Sequence, residues 1–267
     1  MVDIKPMFFD NYIDFVNSDV RKDRHLLTVT SESLSKRCDA IMPEFVINKK
    51  TVLDLGSAVG AMGHYALCNG ATYYTGVEIQ QEYRTRSNAL LTKYHNSGWK
   101  ILNDINQVDE KYDVVIACGF IHGFFDVFGI LKTICNLSNK YVIIETNDPR
   151  LVVFNIDSTN KKWNRKSPRP TITFPTDMSM VTHNSISNEY VPHKGIGPLP
   201  NKEAIDMIMS VYGFIEDSRI YPEPIIHSHD GYSPVDSSRG RRFISRYIKS
   251  TPVTTLESII KNDNLDV

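Results

Sequence analysis

Two short apolar runs, residues 52–55 and 73–77, bracket a glycine-rich turn, and this unit constrains the fold more than any other part of the chain. A strand buried on both faces reads as an almost unbroken apolar run, whereas a strand with one wet face alternates. The stretch is Thr51-Val-Leu-Asp-Leu-Gly-Ser-Ala-Val-Gly-Ala-Met-Gly63, followed by Tyr74-Thr-Gly-Val-Glu78. It predicts a buried strand, a tight turn, a helix N-terminus and a second parallel strand ending in an acid. Gly56 and Gly60 let the backbone turn and let a ligand approach where a Cβ would block it. Glu78, at the tip of the second strand, can accept two hydrogen bonds from a ribose diol, as acids there do in dinucleotide folds.

The details of the turn discriminate between ligands. A dinucleotide fingerprint is G-x-G-x-x-G, but here the spacing is Gly56-x-x-x-Gly60-x-x-Gly63, with Ala58 in the middle glycine's place. Asp54 lies inside the first strand, where a carboxylate repels a pyrophosphate and attracts a cation. A reductase-like Tyr190-x-x-x-Lys194 pair is interrupted by Pro192, which denies it the helix that would align both side chains. A nicotinamide dinucleotide is therefore disfavoured. Asp54 has a second reading as a structural acid hydrogen-bonded to backbone, and Glu78 as a solvated strand end. In either reading a buried carboxylate needs a partner, because leaving it unpaired costs several kcal/mol.

The rest of the chain supports one large α/β domain. At 267 residues it can bury a full core, and 41% hydrophobic and 23% charged residues lie near the globular norm. Net charge is −1, which provides no overall attraction to nucleic acid or an anionic membrane. No apolar stretch has the length of a bilayer span, and Met1-Val-Asp-Ile-Lys lacks a signal-peptide pattern. The four cysteines, Cys38, Cys68, Cys118 and Cys135, show no C-x-x-C or metal-like spacing. Cys68, Cys118 and Cys135 sit in apolar surroundings and read as buried small hydrophobes, which places the chain in the cytoplasm.

Four regions follow. Residues 1–35 place Phe8, Tyr12, Phe15 and Val16 at helical intervals and read as a helical extension. Residues 35–45 read as a helix with Ile41 and Phe45 on one face. From 50 to 147, short apolar strands alternate with helical segments, implying a parallel sheet with right-handed crossovers. Residues 148–200 break the rhythm with Pro149, Pro168, Pro170, Pro175, Pro192, Pro198 and Pro200. An insertion this long is a candidate lid or binding loop. A helix then runs from Pro200 towards Gly213, with Asn201 as N-cap and Gly213 just past its end. Residues 214–221 and 242–248 read as two final strands forming an antiparallel pair at the sheet edge.

Ligands in open α/β sheets sit beyond the carboxyl ends of the strands. The candidates there are Cys118-Gly-Phe-Ile-His122, Glu145-Thr-Asn147 and the insertion. His122 can act as a general base near neutrality, with Phe120, Phe124 and Phe125 to receive a planar substrate. It can equally be a core histidine beside packing aromatics. Glu145 either binds substrate or caps a loop. Lys161-Lys-Trp-Asn-Arg-Lys-Ser-Pro-Arg169 and Arg239-Gly-Arg-Arg242 have the parts of a single-stranded RNA surface, though such runs are more often simply solvated. His227, His229 and Asp230, near Glu223, form a suggestive but incomplete metal set, better read as a polar loop.

In order and spacing these residues resemble class I S-adenosylmethionine-dependent methyltransferases over roughly residues 36–147. Val52-Leu-Asp-Leu-Gly-Ser-Ala-Val-Gly60 is similar to the family's first motif, Gly76-Val-Glu78 to the second and Leu102-Asn-Asp104 to the third. Lys111-Tyr-Asp-Val-Val-Ile-Ala-Cys118 resembles the fourth strand and Tyr141-Val-Ile-Ile-Glu145 the fifth. The resemblance implies a Rossmann-like, doubly wound α/β fold: a seven-stranded, mostly parallel sheet with an antiparallel C-terminal edge strand. It implies a methyltransferase domain over 36–250 with a lid-like insertion at 148–200, an N-terminal helical extension over 1–35 and a tail over 251–267. It implies S-adenosyl-L-methionine as cofactor, held by Asp54, Gly56, Ser57, Ala58 and Gly60. Glu78, Ile79, Asp104, Ile105 and Cys118 complete that contact set, and His122 and Glu145 are the catalytic candidates. No D/N-P-P-Y/F follows the fourth strand, which argues against transfer to a DNA base. The acceptor is then a small molecule, favoured here, or RNA; a catalytically inactive subunit that binds a partner is the alternative.

Lys36-Arg-Cys-Asp-Ala-Ile-Met-Pro43, Gly-Phe-Ile-His122, Ile143-Ile-Glu-Thr146 and Leu199-Pro-Asn-Lys-Glu-Ala resemble, more distantly, the tRNA wobble-uridine carboxymethyltransferases. That likeness implies a place for Arg37 beside the cofactor, where those enzymes carry lysine.

Overall fold

The computed structural model describes residues 13–15, 17–18, 31–121, 124, 126–147, 171–173, 178–182, 196–200, 202–220 and 242–250. Its centre is a seven-stranded sheet of order β3-β2-β1-β4-β5-β10-β9. β1 (Thr51–Leu55), β2 (Tyr73–Val77), β3 (Trp99–Leu102), β4 (Tyr112–Cys118) and β5 (Ser138–Asn147) run parallel. β10 (Arg242–Lys249) is antiparallel both to β5 and to β9 (Phe214–Ile220). The antiparallel pair thus forms the sheet's edge as expected, with β9 outermost. Strand order reverses between β1 and β4, and in open α/β sheets the ligand crevice lies at that reversal, beyond the carboxyl ends.

Helices cover both faces because side chains along each strand alternate. Val52, Val114, Ile116 and Ile143 pack with α1 (Ser31–Ile41), α3 (Ala61–Cys68) and α4 (Gln81–Tyr94). Leu53, Leu55, Val115 and Ile144 face the other way, onto α5 (Val127–Leu137) and α6 (Lys202–Val211). β4 sits in the middle, and Val114 to Ala117 are entirely buried. This explains the unbroken apolar run in its sequence. Phe15, in the helical residues at 13–15, is buried against the first of these layers.

The expected helix over 35–45 is two helices. α1 ends at Ile41, and α2 (Glu44–Ile47) starts after Pro43, whose ring cannot continue the first. The break resets the helical phase, so Ile41 is buried while Phe45 is 68% exposed, under the Arg246 guanidinium at 4.9 Å. α6 closes as the sequence predicts: Gly213 takes φ +78° just past its end. Asn201 lies outside the described residues.

Within the 148–200 insertion, β6 (Thr171–Thr173), β7 (Met178–Thr182) and β8 (Ile196–Pro200) form a small antiparallel sheet. Pro198 and Pro200 fall in β8, an edge strand, where a missing N–H is tolerated. β8 also packs on α5 and α6.

Candidate functional site

At the crevice, the turn after β1 is fastened to the end of β2. The N–H groups of Gly56 and Ser57 donate to the Val77 carbonyl at 2.8 and 3.0 Å, and that of Gly60 to the Ser57 carbonyl at 2.9 Å. Ala58, the residue in the middle glycine's place, adopts a left-handed φ of 48°. A Cβ there costs roughly 1–2 kcal/mol. The Glu78 carboxylate holds the conformation: Oε2 accepts from the Ala58 N–H at 3.0 Å and Oε1 from the Gln80 N–H at 2.8 Å. Glu78 is 7% exposed, and each oxygen retains a second acceptor site. It is therefore a rigid clamp with lone pairs to spare, not a solvated strand end.

Asp54 is buried within β1 and accepts from the Tyr74 hydroxyl at 3.0 Å. Burial pushes its carboxyl up to about 7, a rise that Tyr74 and Arg37 oppose and Glu78 assists. A cation placed beside this carboxyl would lower its value again and favour the charged form. Tyr74 is a partner that sequence reading missed; the available signal was a polar-tipped ring inside an otherwise apolar strand. The ring also explains Gly63, because a Cβ there would lie 2.3 Å from Tyr74 Cε1. Gly63 thus serves close helix–strand packing, the usual duty of a third glycine in such turns.

Across the crevice, Arg37 of α1 grips Glu145 of β5 with two prongs: Nε donates to Oε1 at 3.0 Å, and Nη2 donates to Oε2. Burial opposes the guanidinium charge, but the Glu145 carboxylate more than offsets it and holds Arg37 firmly protonated. Cys118, in register with Glu145, has its thiol pushed well above the ordinary range by burial, with Glu145 adding to the rise. It is a neutral, half-buried lining residue rather than a nucleophile.

The remaining candidates fall as follows. Asp104 follows β3, and its Oδ1 accepts from the Asn106 N–H at 2.8 Å, capping the short 3-10 turn Ile105–Gln107. Ile79 is 51% exposed beside Glu78. Phe120 approaches Gly56, whose missing Cβ would be 3.2 Å from Phe120 Cδ2, and packs with Phe124 at 4.7 Å between ring centroids. His122 and Phe125, the basic run 161–169, Arg239 to Arg241 and the His227–Asp230 loop lie outside the described residues. Arg242 begins β10.

One cluster was not legible in the sequence. His64 and Cys68 of α3 meet His95, the residue after α4. The cysteine spacing alone gave no hint of it, because the third member comes from a different helix.

No family model and no curated protein sequence matches the chain. Solved structures do. The chain is similar to a putative S-adenosylmethionine-dependent methyltransferase from Listeria monocytogenes, at 21% identity and TM-score 0.57, over 83% of this chain and 100% of that one. It is similar to a Burkholderia thailandensis 1,6-didemethyltoxoflavin-N1-methyltransferase with bound 1,6-didemethyltoxoflavin and S-adenosylhomocysteine, at 12% identity and TM-score 0.56. That match covers 90% of this chain and 87% of the other. Magnesium protoporphyrin IX methyltransferase from Synechocystis PCC 6803, with bound SAM, matches at 12% identity and TM-score 0.52, over 88% and 84%. The fold is thus the Rossmann-like fold of S-adenosylmethionine-dependent methyltransferases.

Proposed function

We propose that the chain binds S-adenosyl-L-methionine and transfers its methyl group to a small-molecule acceptor. The observation that carries this is the pairing, at one strand-order reversal, of a clamped acid with spare lone pairs (Glu78) and a buried acid with no ion pair among the described residues (Asp54). A nucleoside with a cationic amino-acid tail satisfies both, and a dinucleotide pyrophosphate does not.

In this reading Glu78 accepts from the two ribose hydroxyls, and Ile79, Asp104 and Ile105 flank the base. Asp54 meets the α-ammonium, and the exposed backbone at Gly56, with Ser57, Ala58 and Gly60, borders the methionyl portion. Cys118 lines the same end. Bound there, the cofactor supplies an electrophilic methyl group on a sulfonium. The chain's task is then to align an acceptor atom and to exclude water, which is enough for many transfers. Arg37 fixes Glu145 at the acceptor side, so we assign Glu145 the role of a positioning group whose charge Arg37 holds. His122 is the proposed general base, and the 148–200 insertion the proposed cover.

The small-molecule acceptor is favoured by the net charge of −1 and by two structural neighbours whose names carry magnesium protoporphyrin IX and 1,6-didemethyltoxoflavin. The inactive alternative rests on Ala58 and on the absence of a known catalytic tetrad after the fourth strand; the Glu78 clamp weakens the first ground by accommodating Ala58. No helix among the described residues is long and apolar enough to cross a membrane.

The test is transfer of a labelled methyl group to a low-molecular-weight metabolite extract and, in parallel, to total RNA. Label entering small molecules supports the proposal. Label entering only RNA replaces the acceptor class and directs attention to residues 161–169. No transfer to either, with the cofactor bound, overturns the catalytic claim.

A further inference from the structure

We propose that His64, Cys68 and His95 form a binding site for one zinc ion, separate from the crevice and independent of the function proposed above. His64 and Cys68 stand at i and i+4 on α3, so one helix face presents both. His95 follows the last residue of α4 and turns back onto them. His64 Nδ1 lies 2.8 Å from His95 Nε2, and Cys68 Sγ lies 3.9 Å from the same Nδ1. All three donor atoms fall within 4.8 Å of one another.

A tetrahedral zinc with its usual bond lengths sets imidazole nitrogens roughly 3.3 Å apart and nitrogen and sulfur roughly 3.6 Å apart. Loading the ion therefore requires the two nitrogens to part by about 0.5 Å, and the sulfur, now 3.9 Å and 3.8 Å from the two His64 nitrogens, to turn onto Nδ1 and to close by as much as about 1.2 Å on His95. The structure shows which residue moves. His64 is wholly buried and stacks on Phe15 at 4.7 Å with 22° between the rings, so it is pinned. His95 is half-buried at a helix end, where a small shift is cheap and an ion can enter.

The donor set selects the metal class. An imidazole with its ordinary value of about 6.5 is mostly neutral at pH 7.5. Both rings are therefore neutral at working pH and offer lone pairs. Two imidazoles and a thiol suit zinc among borderline metals, and with no carboxylate in the set magnesium and calcium are poorly served. A cysteine thiol, ordinarily about 8.5, enters the site mostly protonated at pH 7.5. Binding then exchanges its proton for the metal: the S–H bond breaks, a zinc–thiolate bond forms, and one proton leaves to solvent. A water completes the fourth position. The ion would tie α3, which starts directly after the Gly60 turn, to the far end of α4, and so brace the turn itself.

The test uses the full chain stripped with a chelator and titrated with zinc chloride at pH 7.5. The expected result is one equivalent bound and, at a hundredfold excess over the dissociation constant, a Tm rise of about 5 °C or more. Cobalt(II) in place of zinc should give a thiolate-to-metal charge-transfer band in the wild type. Cys68→Ser should abolish the band, and Cys68→Ser and His95→Ala should each weaken binding at least tenfold, with folding of both checked by circular dichroism. Absence of stoichiometric binding or of the cobalt band in the wild type overturns the proposal. So does affinity retained in either variant, which is what a site in the His227–Asp230 loop would produce.

Discussion

Replacing Gly63 with alanine sets two effects against each other. Helix propensity alone predicts a gain of about 0.8–1.0 kcal/mol, since alanine is the better helix former. Packing predicts a loss. An alanine Cβ would lie 2.3, 2.4 and 2.6 Å from Tyr74 Cε1, Cζ and Cδ1, where ordinary contact begins near 3.4 Å, so something must move by about 1 Å. The Tyr74 ring is fully buried and its hydroxyl is bonded to Asp54, so α3 has to lift off the sheet. Overpacking of this kind costs about 1–3 kcal/mol, and a rigid aromatic neighbour places this case near the upper end. The net expectation is a loss of about 2 kcal/mol, or a Tm lowered by about 4–8 °C. The assay is paired thermal and urea unfolding of the wild type, Gly63→Ala, Tyr74→Leu and the double variant. Because Tyr74→Leu removes the colliding atoms, the double variant should lose at least 1 kcal/mol less than the sum of the singles. A Gly63→Ala protein as stable as the wild type, or additive losses, would refute the close-packing account of this glycine.

Asp54 makes stability depend on pH. Its folded-state value, near 7, lies above the unfolded value of 3.8, so the folded state holds a proton that the unfolded chain has released. Stability from this group is present below about pH 4 and is lost as pH rises towards 7. Asp54→Asn lacks that dependence, so its stability relative to the wild type should increase between pH 5 and pH 8 in urea titrations; an unchanged difference would show that the carboxyl is not perturbed. Glu78→Gln should cost about 1–3 kcal/mol, because the amide nitrogen must face either the Ala58 or the Gln80 N–H. Wild-type stability in that variant would mean the clamp is not formed in solution.

The sequence showed the central strands clearly, because each is buried on both faces and leaves no alternation to misread. It also placed the strand-end acids, since Glu78, Asp104 and Glu145 each follow an apolar run. It could not show what holds them. Arg37 and Glu145 are 108 residues apart, and Asp54 and Tyr74 meet only through the β1–β2 register. Ala58 carried no sign of a left-handed conformation, because alanine rarely adopts one and the compensation comes from a side chain 20 residues later. Pro43 was visible, but a proline at a helix boundary and one between two helices look alike until the next helix is seen. His64, Cys68 and His95 escaped notice for the same long-range reason: the i, i+4 pair was in view, and its third member was not.

The central claim is that the crevice holds a nucleoside with a cationic tail. Titration calorimetry of the purified chain with S-adenosylmethionine, S-adenosylhomocysteine and NADH, repeated on Asp54→Ala, tests it most directly. The account predicts micromolar binding of both adenosyl ligands, none of NADH, and loss of binding in the variant. In the wild type, affinity should weaken about fivefold from pH 7 to pH 6 as Asp54 takes up its proton. Binding of NADH in preference, or no binding of either adenosyl ligand at neutral pH, would contradict it.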